Sequence, residues 1–279
     1  MKKEQAIPID VLHLLPVLDK KLLELLRSLS PEEWQKQTIA RQWKIKDVVA
    51  HLLDTNIRIL STFRDGHFGE APVISSYDDL LLFLNGMNAD WVKAMKRTSP
   101  QVLLLLHEVT GPLFCDYFKT LDPFGISPFP VAWAGEEKSY NWMEIAREYT
   151  EKWLHQQQVR DAIGNDALMT RELFYPFIDI FMLALPHTFR NTDADNGTTV
   201  QITVTGGAGG DWFITKNADR WVLQKEITGA ADAKVEMDPA TSWKLFSKSL
   251  RPKAVMDKLR ISGNHALAQT ALNMVSVMA

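Results

Sequence analysis

Between Asp10 and Leu29 the apolar residues Leu12, Leu15, Leu18, Leu22, Leu25, Leu26 and Leu29 recur three or four positions apart, a spacing that predicts one long amphipathic helix. Ser30, Pro31 and Glu33 supply an N-cap, a first-turn proline and a capping-box glutamate, so a short new helix starts at once. The same periodicity returns from Ile45 to about Arg64 through Val48, Val49, Leu52, Leu53, Leu60 and Phe63, with Asp65-Gly66 as the stop. Ser76 with Asp79 caps a third helix reaching about Lys96. Ser99-Pro100 opens another, which Gly111-Pro112 should kink or break. After a loop from Asp122 to Tyr140, Asn141 and Glu144 open a helix from Trp142 to about Ile163.

The period changes after the apolar segment Leu173 to Leu185 and the turn-rich run Asn191 to Gly197. Thr198 to Thr205, Asp211 to Thr215 and Arg220 to Glu226 read as short strands of a meander around the turn Gly206 to Gly210. Ala233 to Met237 and Leu259 to Ser262 read as further strands, Pro239 to Ser247 and Asn264 to Val277 as helices. The expected fold class is therefore α followed by α+β, with a helical domain over 1–190 and a smaller α+β domain over 198–279.

Composition narrows the function. The chain has 279 residues, 46% apolar and 23% charged, which fits a folded core and excludes a disordered chain. A net charge of −3 is too balanced to draw the protein onto nucleic acid. No apolar run approaches the roughly 20 residues that span a bilayer, so no membrane association is expected. The lone Cys115 and a start without an apolar signal region point to a cytoplasmic protein. Charge is unevenly divided: from Thr198 onward there are ten Lys plus Arg and seven Asp plus Glu, so the halves should attract.

Of the seven histidines, His155 stands one helical turn after a carboxylate, Glu151, and side chains at i and i+4 share a helix face. The pair could close on one cation or be an ordinary surface pair. At about 100° per residue, Trp142, Ile145, Tyr149 and Trp153 form the apolar stripe, and Glu144, Glu148, Glu151, His155 and Gln158 gather opposite it. His51 likewise shares its angle with Asp47, Asp54 and Arg58. This bookkeeping places any shared site in an outer groove, away from the helical core.

The stretch Trp43-Lys-Ile-Lys-Asp-Val-Val-Ala-His51-Leu-Leu-Asp54, together with Glu151-Lys-Trp-Leu-His155-Gln-Gln, resembles the mycothiol-dependent maleylpyruvate isomerase family of DinB-like four-helix bundles. The regions Ile227 to Glu236 and Ile261 to Ala268 are similar to the sterol-carrier-like domain that follows the bundle in that family. The resemblance implies a DinB-like four-helix bundle with a sterol-carrier-like α+β domain, and one divalent metal held by His51, Glu151 and His155. Two histidines and a carboxylate leave coordination positions open, and zinc is the default occupant of such a set. The implied cofactor is a small thiol such as mycothiol, and the implied activity a thiol-dependent isomerisation or S-transfer on a small unsaturated or electrophilic acid. A metal-dependent hydrolase and a non-catalytic ligand-binding protein are the alternatives.

Other residues carry less. Asp54 could orient His51, and Arg160 could face a helix dipole or anchor a substrate. Trp133, in a long loop, is a candidate lid. Lys244, Lys248, Arg251, Lys253, Lys258 and Arg260 form a basic group that could receive carboxylates or be a solvated surface, and no second-domain arginine among Arg220, Arg251 and Arg260 can be singled out. Cys115 reads as a buried small hydrophobe. The expected cleft lies between the halves, covered by the Asp122 to Tyr140 loop.

Overall fold

The structure is a computed structural model that describes residues 6–69 and 72–276. A 3-10 turn at Leu12–Leu14 leads into α1 (Leu15–Ser28), which buries Leu15, Leu18, Leu22, Leu25 and Leu26 along the predicted stripe. The capping box forms as read: Ser30 Oγ accepts from Glu33 N at 3.2 Å, and the Glu33 carboxylate accepts from Ser30 N at 3.0 Å. It opens only the 3-10 turn Glu33–Gln35. The second predicted helix is α2 (Ile45–Arg58) continued by a π-helical turn, Ile59–Arg64.

Two more helices follow, α3 (Tyr77–Met95) and α4 (Pro100–Lys119), each capped by the predicted serine: Ser76 Oγ accepts from Asp79 N and Ser99 Oγ from Val102 N. Of the expected kink or break at Gly111-Pro112, the break does not occur: α4 runs through both residues. Pro112 is exposed, so the carbonyl it leaves unbonded can face water. Gly111 serves a close approach instead: a Cβ there would collide with Asp19 Oδ1 on α1. Helix α5 (Asn141–Ala162) matches its predicted span, and the apolar segment after it is helical as α6 (Arg171–Met182) and α7 (Leu185–Phe189).

The strands are β1 (Thr199–Val204), β2 (Gly210–Asn217), β3 (Arg220–Gln224), β4 (Ala233–Met237) and β5 (Arg260–Gly263), with α8 (Pro239–Phe246) and α9 (His265–Leu272) between and after them. Among them β1, β2 and β3 form the expected antiparallel meander. The sheet order β3-β2-β1-β4-β5 adds a parallel β1–β4 pairing, so the sheet is mixed. Alternation sends Val200, Ile202 and Val204 into the core. The last helix, expected to reach Val277, stops as α9 at Leu272 with Asn273 as its C-cap; Val277 itself lies outside the described residues.

The chain folds into two compact units that do not follow chain order. The first takes the residues up to Gly125 with Glu151–Ala167; the second takes Ile126–Thr150 with Leu168 onward. In the first, Leu22, Leu25, Leu26, Trp34, Ile45, Val48, Val49, Leu52, Leu53, Leu103 and Val159 form one apolar cluster drawn from α1, the Glu33–Gln35 turn, α2, α4 and α5. In the second, the loop after Asp122 is tied down rather than free. Ser127 N bonds Ser139 O at 2.8 Å, and Val131 N bonds Ser139 Oγ at 2.8 Å. Trp133, the expected lid, is 6% exposed and packs edge-on against Phe181 at 6.2 Å, so it is a core residue. No helix among the described residues is long and apolar enough to cross a membrane.

Candidate metal centre

His51 comes from the middle of α2, and Glu151 and His155 come from one face of α5. One ligand atom from each of the three lies within 4.8 Å of the other two. His155 Nε2 and Glu151 Oε2 are 3.2 Å apart. Two donors on a common zinc at about 2.0–2.1 Å and tetrahedral angle stand about 3.3 Å apart, so this pair already has a coordinating separation.

The outer-groove expectation holds only in part: Glu151 and His155 are partly exposed, but His51 is not. His51 is 5% exposed and the neighbours read as its solvated face, Asp47 and Asp54, are 4% and 5% exposed. On α5, Glu144, Glu148, Gln156, Gln158 and Arg160 are all buried. The angular argument equates polar with solvated, but here polar groups are buried and paired. Gln156 Nε2 donates to the Leu18 carbonyl at 3.0 Å, and Arg160 donates to the Lys21 carbonyl, to Gln156 Oε1 and to Asn165 Oδ1. Arg160 is thereby a brace between α5 and α1, not a substrate anchor. Asp54 does not orient His51 either: its Oδ2 lies 3.0 Å from Arg58 Nε.

The protonation states suit a cation. Burial holds the His51 imidazole well below its ordinary pKa, and the charges of His155, Arg58 and Lys152 push the same way, so at neutral pH the ring is neutral with a free lone pair. Its Nδ1 is buried without a hydrogen-bond partner among the described residues. His155 Nδ1 lies 3.0 Å from Gln158 Oε1, an acceptor, which places a proton on Nδ1 and turns Nε2 toward Glu151. A lone pair facing a carboxylate at 3.2 Å is repulsive unless a proton or a cation sits between them. The donor set therefore fits a divalent metal.

Sequence reasoning missed the residue that braces the site, Lys152. It is 8% exposed; its Nζ bonds Asn56 Oδ1 on α2 and lies 4.3 Å from the Phe114 ring centroid on α4. Asn56 continues to Thr110 Oγ1 at 2.9 Å. A lysine between a glutamate and a tryptophan on a polar helix gives no sequence signal of this. Lys152→Met keeps the stem but leaves Asn56 Oδ1 buried and unmatched, so unfolding free energy should fall by about 1–3 kcal/mol. A lowered urea midpoint with an unchanged slope would show it; an unmoved midpoint would contradict the brace.

The remaining candidates do not join the site. Cys115 is buried and its thiol is pushed up to about 11 by burial and by Asp19, which leaves it unreactive. His107 is fully buried with Nε2 3.0 Å from the Val49 carbonyl. Of the basic group, Arg260 pairs with Glu236 at 3.2 Å, Lys244 lies over Trp243, and Arg251, Lys253 and Lys258 are exposed. Arg220 is also exposed, so burial singles out none of the three arginines.

Comparison with known proteins agrees with this architecture. A crystal structure of the mycothiol-dependent maleylpyruvate isomerase superposes with a TM-score of 0.55 at 12% identity, over 90% of this chain and 91% of that one. A histidine-to-alanine mutant of that enzyme gives the same values. Identity this low speaks to the fold alone. No curated protein matches the sequence. Residues 191–275 match the SCP-2 sterol transfer family. Residues 15–160, more than half of the chain, match the family described as the mycothiol maleylpyruvate isomerase N-terminal domain, and it is to this family that the chain belongs.

Proposed function

We propose that the protein is a divalent-metal-binding, small-thiol-dependent isomerase or S-transferase acting on a small unsaturated or electrophilic acid, in the manner of maleylpyruvate isomerase. The observation that carries this reading is the meeting of His51, Glu151 and His155, two imidazoles and one carboxylate whose ligand atoms lie within 4.8 Å of one another. Three protein ligands leave room for an exogenous one, as catalytic zinc sites do. A cation held there, zinc by preference, would act as a Lewis acid toward a thiol such as mycothiol and favour its thiolate.

The chain's own residues prepare that chemistry. Burial keeps His51 unprotonated, and Gln158 holds the tautomer of His155. Glu151 supplies one negative charge, so a divalent occupant would keep a net positive charge that attracts an anionic sulfur. In the isomerase reading the sulfur adds to a carbon–carbon double bond, the resulting single bond rotates, and expulsion of the sulfur restores the double bond with trans geometry. The lone, buried Cys115 supports a reducing, cytoplasmic setting and an external thiol.

The test is turnover of maleylpyruvate and other cis-unsaturated acids by the full chain loaded with zinc, with mycothiol or another small thiol present or omitted. Turnover should require both metal and thiol. Equal turnover without any thiol would overturn the thiol-dependent reading.

A further inference from the structure

Trp43 precedes α2 and touches both histidines of the metal centre. Its ring centroid is 4.8 Å from that of His51 at an interplanar angle of 43°, and 6.4 Å from that of His155 at 46°. The two imidazoles meet edge to face, centroids 4.5 Å apart at 81°. An imidazole donates only along the in-plane lone pair of its nitrogen, so the ring plane decides whether it can bind a shared cation. A hydrogen bond to the other ring nitrogen usually fixes that plane. Gln158 does so for His155. His51 differs: neither of its ring nitrogens has a hydrogen-bond partner among the described residues, and its Nδ1 is buried.

The indole is itself held firmly. Gln37 and Lys44 form a bridge, and the Trp43 carbonyl accepts from Thr38 N at 3.2 Å, Thr38 Oγ1 at 2.7 Å and Gln37 Nε2 at 2.8 Å. Trp43 N donates to the Ala40 carbonyl at 2.8 Å. A turn this heavily bonded in front of a helix fixes one side chain, and that side chain lies against the ligands.

We propose that Trp43 is a positioning residue of the metal centre, its ring contact setting the plane of His51 where a polar partner would ordinarily do so. This rests on the metal reading above. The experiment is titration of the full chain with Co2+, following both affinity and the visible ligand-field spectrum, in wild type, Trp43→Phe, Trp43→Leu and Trp43→Met. Phe keeps an aromatic face and should bind within about 3-fold of wild type, whereas Leu and Met should weaken binding by about 10- to 100-fold, the range for lost ligand-orienting contacts. Their spectra should also shift, which lost packing at a distance would not cause. Wild-type affinity and an unaltered spectrum in both Leu and Met variants would overturn the role while leaving the metal reading intact. Failure of the wild type to bind Co2+, or equal binding by His51→Ala, would overturn the metal reading and this role with it.

Discussion

His51→Ala combined with His155→Ala should abolish stoichiometric metal binding, by about 10,000-fold in affinity. Structural zinc sites with four ligands are worth about 10–16 kcal/mol, so each ligand carries roughly 3 kcal/mol and the loss of two removes about four decades. Metal analysis of purified protein by mass spectrometry, with competition against a chromophoric chelator, reads this directly. Retention of one equivalent of metal in the double variant would show that the ligands lie elsewhere. Chelation of the wild type should lower its melting temperature, because a cation that binds only the native state adds about 4 kcal/mol at a thousand times its Kd. The helices should nevertheless remain folded without metal: the apolar cluster around Val48, Val49, Leu52 and Leu103 is independent of the ligands. Complete unfolding on chelation would make the site structural and undo the argument from open positions.

The sequence announced most elements because each is set locally. Ser30 with Glu33, Ser76 with Asp79 and Asn264 before α9 fix helical starts through local side-chain bonds, and all three form. Strand alternation around the Gly206 to Gly210 turn likewise needs no distant partner. What could not be read is the parallel pairing of β1 with β4, which joins segments some thirty residues apart. The proximity of His51 to Glu151 and His155 was legible through motif resemblance, since spacing along α5 aligns Glu151 with His155 but cannot choose a partner helix. Site environment was not. The outer-groove reading, the Asp54 role and the Arg160 alternatives assumed that a polar helix face meets water, and α5 breaks that assumption by spending Gln156, Arg160 and Lys152 on neighbouring helices. Trp133 failed for a related reason: a long loop reads as exposed until Ser127, Val131 and Ser139 are seen to close it.

Acid should destabilise the first unit in a specific pH window, and His107 is the side chain to test. Burial, reinforced by the charge of Lys152 and opposed by the bond to Val49, lowers its pKa to about 4 from an ordinary 6.5. The folded form therefore keeps the imidazole neutral while the unfolded chain takes up a proton, so the unfolded state binds more protons between those two values. Stability contributed by the neutral ring is full above about pH 6.5 and is lost as pH falls toward 4. A shift of this size corresponds to on the order of 3 kcal/mol. His51, lowered in the same direction, adds to the loss in metal-free protein. Denaturant midpoints at about pH 7 and about pH 4 should therefore separate less in His107→Gln, which keeps a donor for the Val49 carbonyl but cannot titrate. Parallel pH curves for the two proteins would contradict this assignment. Because Val49 is two residues before His51 on α2, the comparison also separates two ways in which acid would release a metal. Loss that persists in His107→Gln reflects protonation of the ligands themselves, and loss that is relieved reflects α2 coming away from α4.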